Sequence, residues 1–170
     1  MTKDTIDTSQ WKIDKTYLYE SYYILMIEAM FRSDLIELSR NSTAKILSIG
    51  LGGGTIDSFL HEVFPQMDIT VVEISRRILD MAKKWFGLVE DDHHRVEIVD
   101  GITFLAEKAK IGRMRNIQPS IPGDHYDAIL VDACPAEPVE GIKCPSRSFY
   151  SERVLEDIAK LLPAKGKFGS

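Results

Sequence analysis

Residues 46–54, ILSIGLGGG, decide the fold. An apolar run that stops at a cluster of glycines and leads straight into a helical pattern is how a nucleotide-binding α/β domain begins. Glycine at Gly50, Gly52, Gly53 and Gly54 lets the backbone turn sharply and lets a ligand come closer than a Cβ would allow. Residues 69–74, ITVVEI, read as a second buried strand. Its Glu73 follows Gly50 by 23 residues (73 − 50), which suits a carboxylate accepting hydrogen bonds from ribose hydroxyls.

A dinucleotide fingerprint would carry its third glycine where Thr55 stands, so this loop reads G-x-G-x-G. A ligand without a pyrophosphate is therefore expected. An adenosyl ligand such as S-adenosyl-L-methionine needs close backbone approach and a ribose carboxylate, but no phosphate at the helix terminus. Asp57, early in the following helix, agrees with the helix dipole and disfavours a phosphate there. The plainer alternative is a tight strand-to-helix turn with an exposed glutamate.

The 170 residues, 44% hydrophobic and 28% charged, suit one soluble domain, with a helical lead-in over 1–45 and a Rossmann-like core over 46–170. No apolar run is long enough for a membrane span, and MTKDTIDTSQ lacks the apolar stretch of a signal peptide, so a cytoplasmic address is expected. The net charge of −5 gives no electrostatic footprint for nucleic acid, and the basic group Lys108, Lys110, Arg113 and Arg115 reads as a solvated face. Cys134 and Cys144 are too few for a zinc site and are expected as free thiols in a reducing compartment.

Strands are expected at 46–49, 69–74, 96–99 and 128–132, and helices at 17–40, 56–63, 77–86, 102–109 and 151–162, with a loop over 111–124. Repeated βα units imply a parallel sheet covered on both faces, with ligands at the carboxyl ends of the strands. Three acids stand there: Glu73, Asp100 followed by Gly101, and Asp132. Asp100 can take an adenine exocyclic amine while the Gly101 amide donates to a ring nitrogen, or it can cap the next helix. The expected cofactor set is Gly50, Gly52, Gly53, Gly54, Glu73, Ile74, Asp100, Gly101 and Asp132, with no metal site. Tyr17, Tyr19, Tyr22 and Tyr23 either line an acceptor entrance or form core, core being the commoner use of such a stripe. His93 and His94 read as solvated, and Cys134 has no histidine partner for nucleophilic work.

Gly50–Gly54, VVEI (71–74), RVEIVDG (95–101) and YDAILVD (126–132) together resemble the motif series of class I S-adenosylmethionine-dependent methyltransferases, in the branch that includes spermidine and spermine synthases. The chain is most similar to methyltransferase-like proteins whose spermidine-synthase-like domain methylates elongation factor 1 alpha. They share GLGGG, the WFG of residues 85–87 and the G-x-x-C-P of residues 141–145. The resemblance implies a protein amine acceptor, either an N-terminus or a lysine, and an in-line attack of neutral amine on the sulfonium methyl. Asp132 would be the catalytic residue, orienting the amine or taking its proton. Its other reading is a strut for the loop after strand four.

Two departures bear on this. Aminopropyltransferases continue D-x-x-D-P after strand four, whereas Pro135 stands here in place of the second aspartate, so aminopropyl transfer is the runner-up. The superfamily sheet has further strands that this sequence does not supply, so AILVD is expected at an exposed edge. Either the sequence is an isoform or part of a longer protein, or a second chain covers the edge, in a homodimer or otherwise. A third reading is an adenosyl-binding scaffold without transfer activity.

Overall fold

The computed structural model describes residues 12–19, 21–32, 34–114, 125–135 and 144–163. In chain order the elements are α1 (Ser21–Phe31), β1 (Lys45–Ile49), α2 (Thr55–Val63), β2 (Asp68–Glu73), α3 (Arg76–Trp85), β3 (His94–Ile98), α4 (Gly101–Met114), β4 (Ala128–Val131) and α5 (Glu152–Leu161). The four strands form one parallel sheet in the order β3-β2-β1-β4. This is the doubly covered Rossmann-like α/β sheet expected from the strand and helix pattern.

Strand residues alternate between two cores, as the period of two requires. Ile46, Ile69, Val71 and Leu130 face a core shared with Ile27, Leu60 and Leu79 of the first three helices. Leu47, Ile49 and Val72 face the other, shared with Phe104, Leu105, Val154 and Leu161. Because both faces are buried, the strands read as continuous apolar runs. Ser48 breaks the apolar run on the α2 side of β1 and is itself buried.

Most differences from the expected elements are shifts at the ends. The first helix is much shorter than 17–40: after Phe31 the chain leaves the helix and passes through left-handed backbone at Asp34 (φ 56°), a conformation aspartate tolerates. The fourth helix runs on to Met114, its core face continued by Leu105 and Ala109, and so takes in the start of the expected loop. Gly87, at φ 66°, ends α3 as its position predicts. A short 3-10 turn at Arg147–Tyr150, unforeseen from sequence, drives Phe149 into the second core. Within the described residues β4 lies at the sheet edge. No described helix is long and apolar enough to cross a membrane.

Candidate functional site

Register brings the strand ends level. Ile49 pairs with both Val72 and Val131, and Glu73 pairs with Ile98. The next residues along, Gly50, Glu73 and Asp132, with Asp100 two residues past Ile98, therefore gather above one edge of the sheet, where they line a crevice of about 770 Å³. That volume suits a small-molecule ligand. Gly52, Gly53, Ile74 and Gly101 line it as well. Gly54 faces inward instead: a Cβ there would sit 2.7 Å from the Leu88 side chain.

Gly50 is fixed by both backbone and space. Its φ is 97°, and a Cβ would lie 2.5 Å from the Asp132 carbonyl oxygen, so the crossing of β1 and β4 admits only glycine. Gly52, at φ 54°, has nothing within 4 Å of a Cβ and leaves its backbone open to the crevice.

Glu73 is buried, not the exposed glutamate of the plainer alternative. One carboxylate oxygen accepts from the Leu51 amide at 3.0 Å and the other from the Ser75 amide at 2.8 Å. It ties the glycine loop to the turn before α3, and each oxygen keeps a second lone pair for a ligand. Asp100 does cap its helix: Oδ1 accepts from the Thr103 amide at 2.8 Å and the Thr103 hydroxyl at 3.0 Å. Its other oxygen carries no part of that cap. Asp132 is half-buried; burial raises its pKa, and a hydrogen bond from Tyr22 works the other way.

The sequence marks Asp57 as a dipole partner at a helix start, and the structure places it on the crevice as well. It is 1% exposed, and burial pushes its pKa up to about 7, with the Ser48 hydroxyl opposing and Asp132 adding to the rise. Its Oδ1 has no hydrogen-bond partner. A signal was available: Asp57 precedes the fully buried Leu60 by three residues and so shares its inward face.

Other expectations are corrected. Cys134 and Cys144 are disulfide-bonded, with Cα atoms 4.6 Å apart, and are not free thiols. The Ser146 amide donates to the Ala133 carbonyl at 2.8 Å, which holds the backbones beside Cys134 and Cys144 together. The tyrosines divide: Tyr17 and Tyr19 are exposed, Tyr22 lines the crevice, and Tyr23 lines the crevice and also packs against the first core. His94 is not solvated; it is fully buried beside the His61 ring, whose Nε2 meets Asp91 at 3.1 Å. Of the G-x-x-C-P segment only Cys144 and Pro145 lie within the described residues, and Arg115 with most of the 111–124 loop lies outside them. No group of metal-ligating side chains is found among the described residues.

Four carboxyl groups, Asp57, Glu73, Asp100 and Asp132, thus line one crevice with no lysine, arginine or histidine among its described lining residues. Such a site repels phosphates and attracts a cation.

A sequence profile of the spermine/spermidine synthase domain matches residues 28–170. The chain is 32% identical over 156 residues to the "eEF1A lysine and N-terminal methyltransferase" of Homo sapiens, covering 92% of this chain and 21% of that protein. It is 33% identical over 158 residues to the Drosophila melanogaster homolog, covering 92% and 22%. The chain thus spans about a fifth of the length of these relatives. Among solved structures, human Methyltransferase-like protein 13 in complex with SAH superposes with a TM-score of 0.70 at 30% identity, over 85% of this chain and 61% of that one.

Proposed function

The chain belongs to the spermine/spermidine synthase domain family, and from that premise we propose that it is an S-adenosylmethionine-dependent methyltransferase acting on a protein amine, an N-terminus or a lysine, of a translation elongation factor in the cytoplasm. One observation carries the reading: the glycine loop opens onto a crevice lined by four carboxyls and, among the described residues, by no lysine, arginine or histidine. That charge pattern fits a sulfonium and an amine and opposes a dinucleotide. The named relatives, which act on eEF1A, support the choice of a protein acceptor over a diamine.

In this reading Gly50, Gly52 and Gly53 offer backbone to the amino-acid arm, Glu73 accepts from the ribose with its spare lone pairs, and Ile74 lies along the adenosyl group. Asp100 and the Gly101 amide take the adenine edge. When bound, S-adenosylmethionine supplies a methyl group on a positively charged sulfur. Asp132 accepts a hydrogen bond from the incoming amine, and the Tyr22 hydroxyl holds the Asp132 carboxylate in place. The crevice walls exclude water and fix the approach. Pro135, in place of a second aspartate, removes a carboxylate partner for a diamine, at a cost of about 1.5–3 kcal/mol.

Calorimetry with S-adenosylmethionine, followed by transfer of a labelled methyl to recombinant elongation factor 1 alpha, tests the reading. Binding with transfer is expected. Tighter binding of NAD would overturn the cofactor, and spermidine formed from putrescine and decarboxylated S-adenosylmethionine would establish the aminopropyltransferase. Binding without transfer would mark a scaffold.

A further inference from the structure

One of the four carboxyls in the crevice, Asp57, has been given no individual role. Asp57 sits in the first turn of α2, 1% exposed, with Oδ1 unpartnered. An orphaned buried carboxyl oxygen costs stability and calls for a reason. The groups facing it are Ser48 from β1 and Asp132 from the end of β4. Glu73 from β2, Asp100 before α4 and Tyr22 from α1 share the same crevice. None of these is a cation, so among the described residues nothing balances Asp57, and a cationic ligand would supply that charge.

We propose that Asp57 is the residue by which this crevice distinguishes a sulfonium ligand from its neutral thioether product. The proposal rests on the adenosyl reading and deepens it. Asp57 acts through its field, being only 1% exposed at the crevice wall, and so it is a positioning residue. When the sulfonium enters, the Asp57 carboxyl loses its proton to solvent and the carboxylate remains. When the thioether replaces the sulfonium, the proton returns. Burial pushes the Asp57 pKa up to about 7, so the exchange is readable near neutral pH. A cationic and a neutral form of one ligand share every other contact, which leaves charge as the feature to read.

The test is calorimetry of the full chain with S-adenosylmethionine and with S-adenosylhomocysteine at pH 7, each in two buffers of different ionisation enthalpy. The sulfonium should release about half a proton more than the thioether, because a group with a pKa near 7 is half protonated there. Its affinity advantage should grow up to about tenfold between pH 6 and pH 8, the limit for one linked proton being tenfold per pH unit. Asp57→Asn should remove both effects while subtracting the ligands' own titration. Ser48→Ala, which deletes the hydroxyl that favours the ionised form, should move the pH dependence upward, a change that a purely structural role would not produce. Equal proton counts for the two ligands in wild type, or undiminished release in Asp57→Asn, would overturn the assignment and leave the adenosyl reading standing. Failure of both ligands to bind wild type would overturn the two together.

Discussion

Asp57 and His94 are both buried and titrate in opposite directions, so the chain should hide a large pH dependence that single substitutions expose. Burial holds His94 down at about 4, with His61 adding to the depression, against an ordinary value of 6.5. Its contribution to stability is complete above pH 6.5 and is lost as pH falls through 4, because the unfolded chain takes the proton first. Asp57 runs the other way. With a native value of about 7 against 3.8, it stabilises below pH 3.8 and that contribution is lost as pH rises through 7. At 1.36 kcal/mol per unit the swings are about 3 kcal/mol for His94 and about 4 kcal/mol for Asp57, and they oppose each other between pH 4 and 6.5. Urea unfolding of wild type, Asp57→Asn and His94→Phe at half-unit steps from pH 4.5 to 7 measures this. As pH falls, Asp57→Asn should lose about 3 kcal/mol relative to wild type, and His94→Phe should gain about 2–3 kcal/mol. Subtracting wild type removes the other carboxylates. Difference curves that are flat within about 0.5 kcal/mol, or that slope the same way, would refute the burial argument.

Three further outcomes follow from the same geometry. Glu73→Ala should weaken S-adenosylmethionine binding by about 1.5–3 kcal/mol in calorimetry, the worth of charge-assisted hydrogen bonds, and should destabilise the glycine loop by freeing the Leu51 and Ser75 amides; unchanged affinity would remove Glu73 from the site. Gly50→Ala places a Cβ 2.5 Å from the Asp132 carbonyl at φ 97°, so a loss of at least about 2 kcal/mol in thermal or urea unfolding is expected, and a neutral substitution would contradict the close crossing. Reduction of Cys134–Cys144, which releases a loop of sequence separation 10, should lower stability by about 2–3 kcal/mol, measured by unfolding with and without a phosphine reductant, against a Cys134→Ser control that shows no response.

The sheet was legible because both of its faces are buried. Continuous apolar runs such as ILSI and TVVE have little choice but to pair, and glycine after the first of them marks where the chain must turn. The first helix is shorter than its spacing suggests: Leu18, Tyr22, Leu25, Met26, Ala29 and Met30 keep a helical spacing, but Leu18 is flanked by the exposed Tyr17 and Tyr19, and spacing alone does not order a chain. His94 was misjudged for a related reason. It follows Asp91, Asp92 and His93, which suggests solvent, but its register opposite Ile69 on an inner strand decides its burial.

The site divides along the same line. Glu73, Asp100 and Asp132 stand at strand ends, and position at a strand end can be counted from sequence. Asp57 and the Cys134–Cys144 bond depend on which helix face turns inward and on where a loop returns, and these are settled only by packing. The distinction has a chemical consequence. All four acids line the crevice, but Asp57 is 1% exposed and keeps an unpartnered oxygen. Burial makes Asp57 hard to ionise, and a cation in the crevice favours its charged form. Removing Asp132 should make Asp57 easier to ionise, because Asp132 contributes to its raised pKa. The pH midpoint of the wild-type minus Asp57→Asn stability difference should therefore move down in an Asp132→Asn background. A midpoint that stays in place would mean the two carboxyls do not interact and that the crevice does not act as one electrostatic unit.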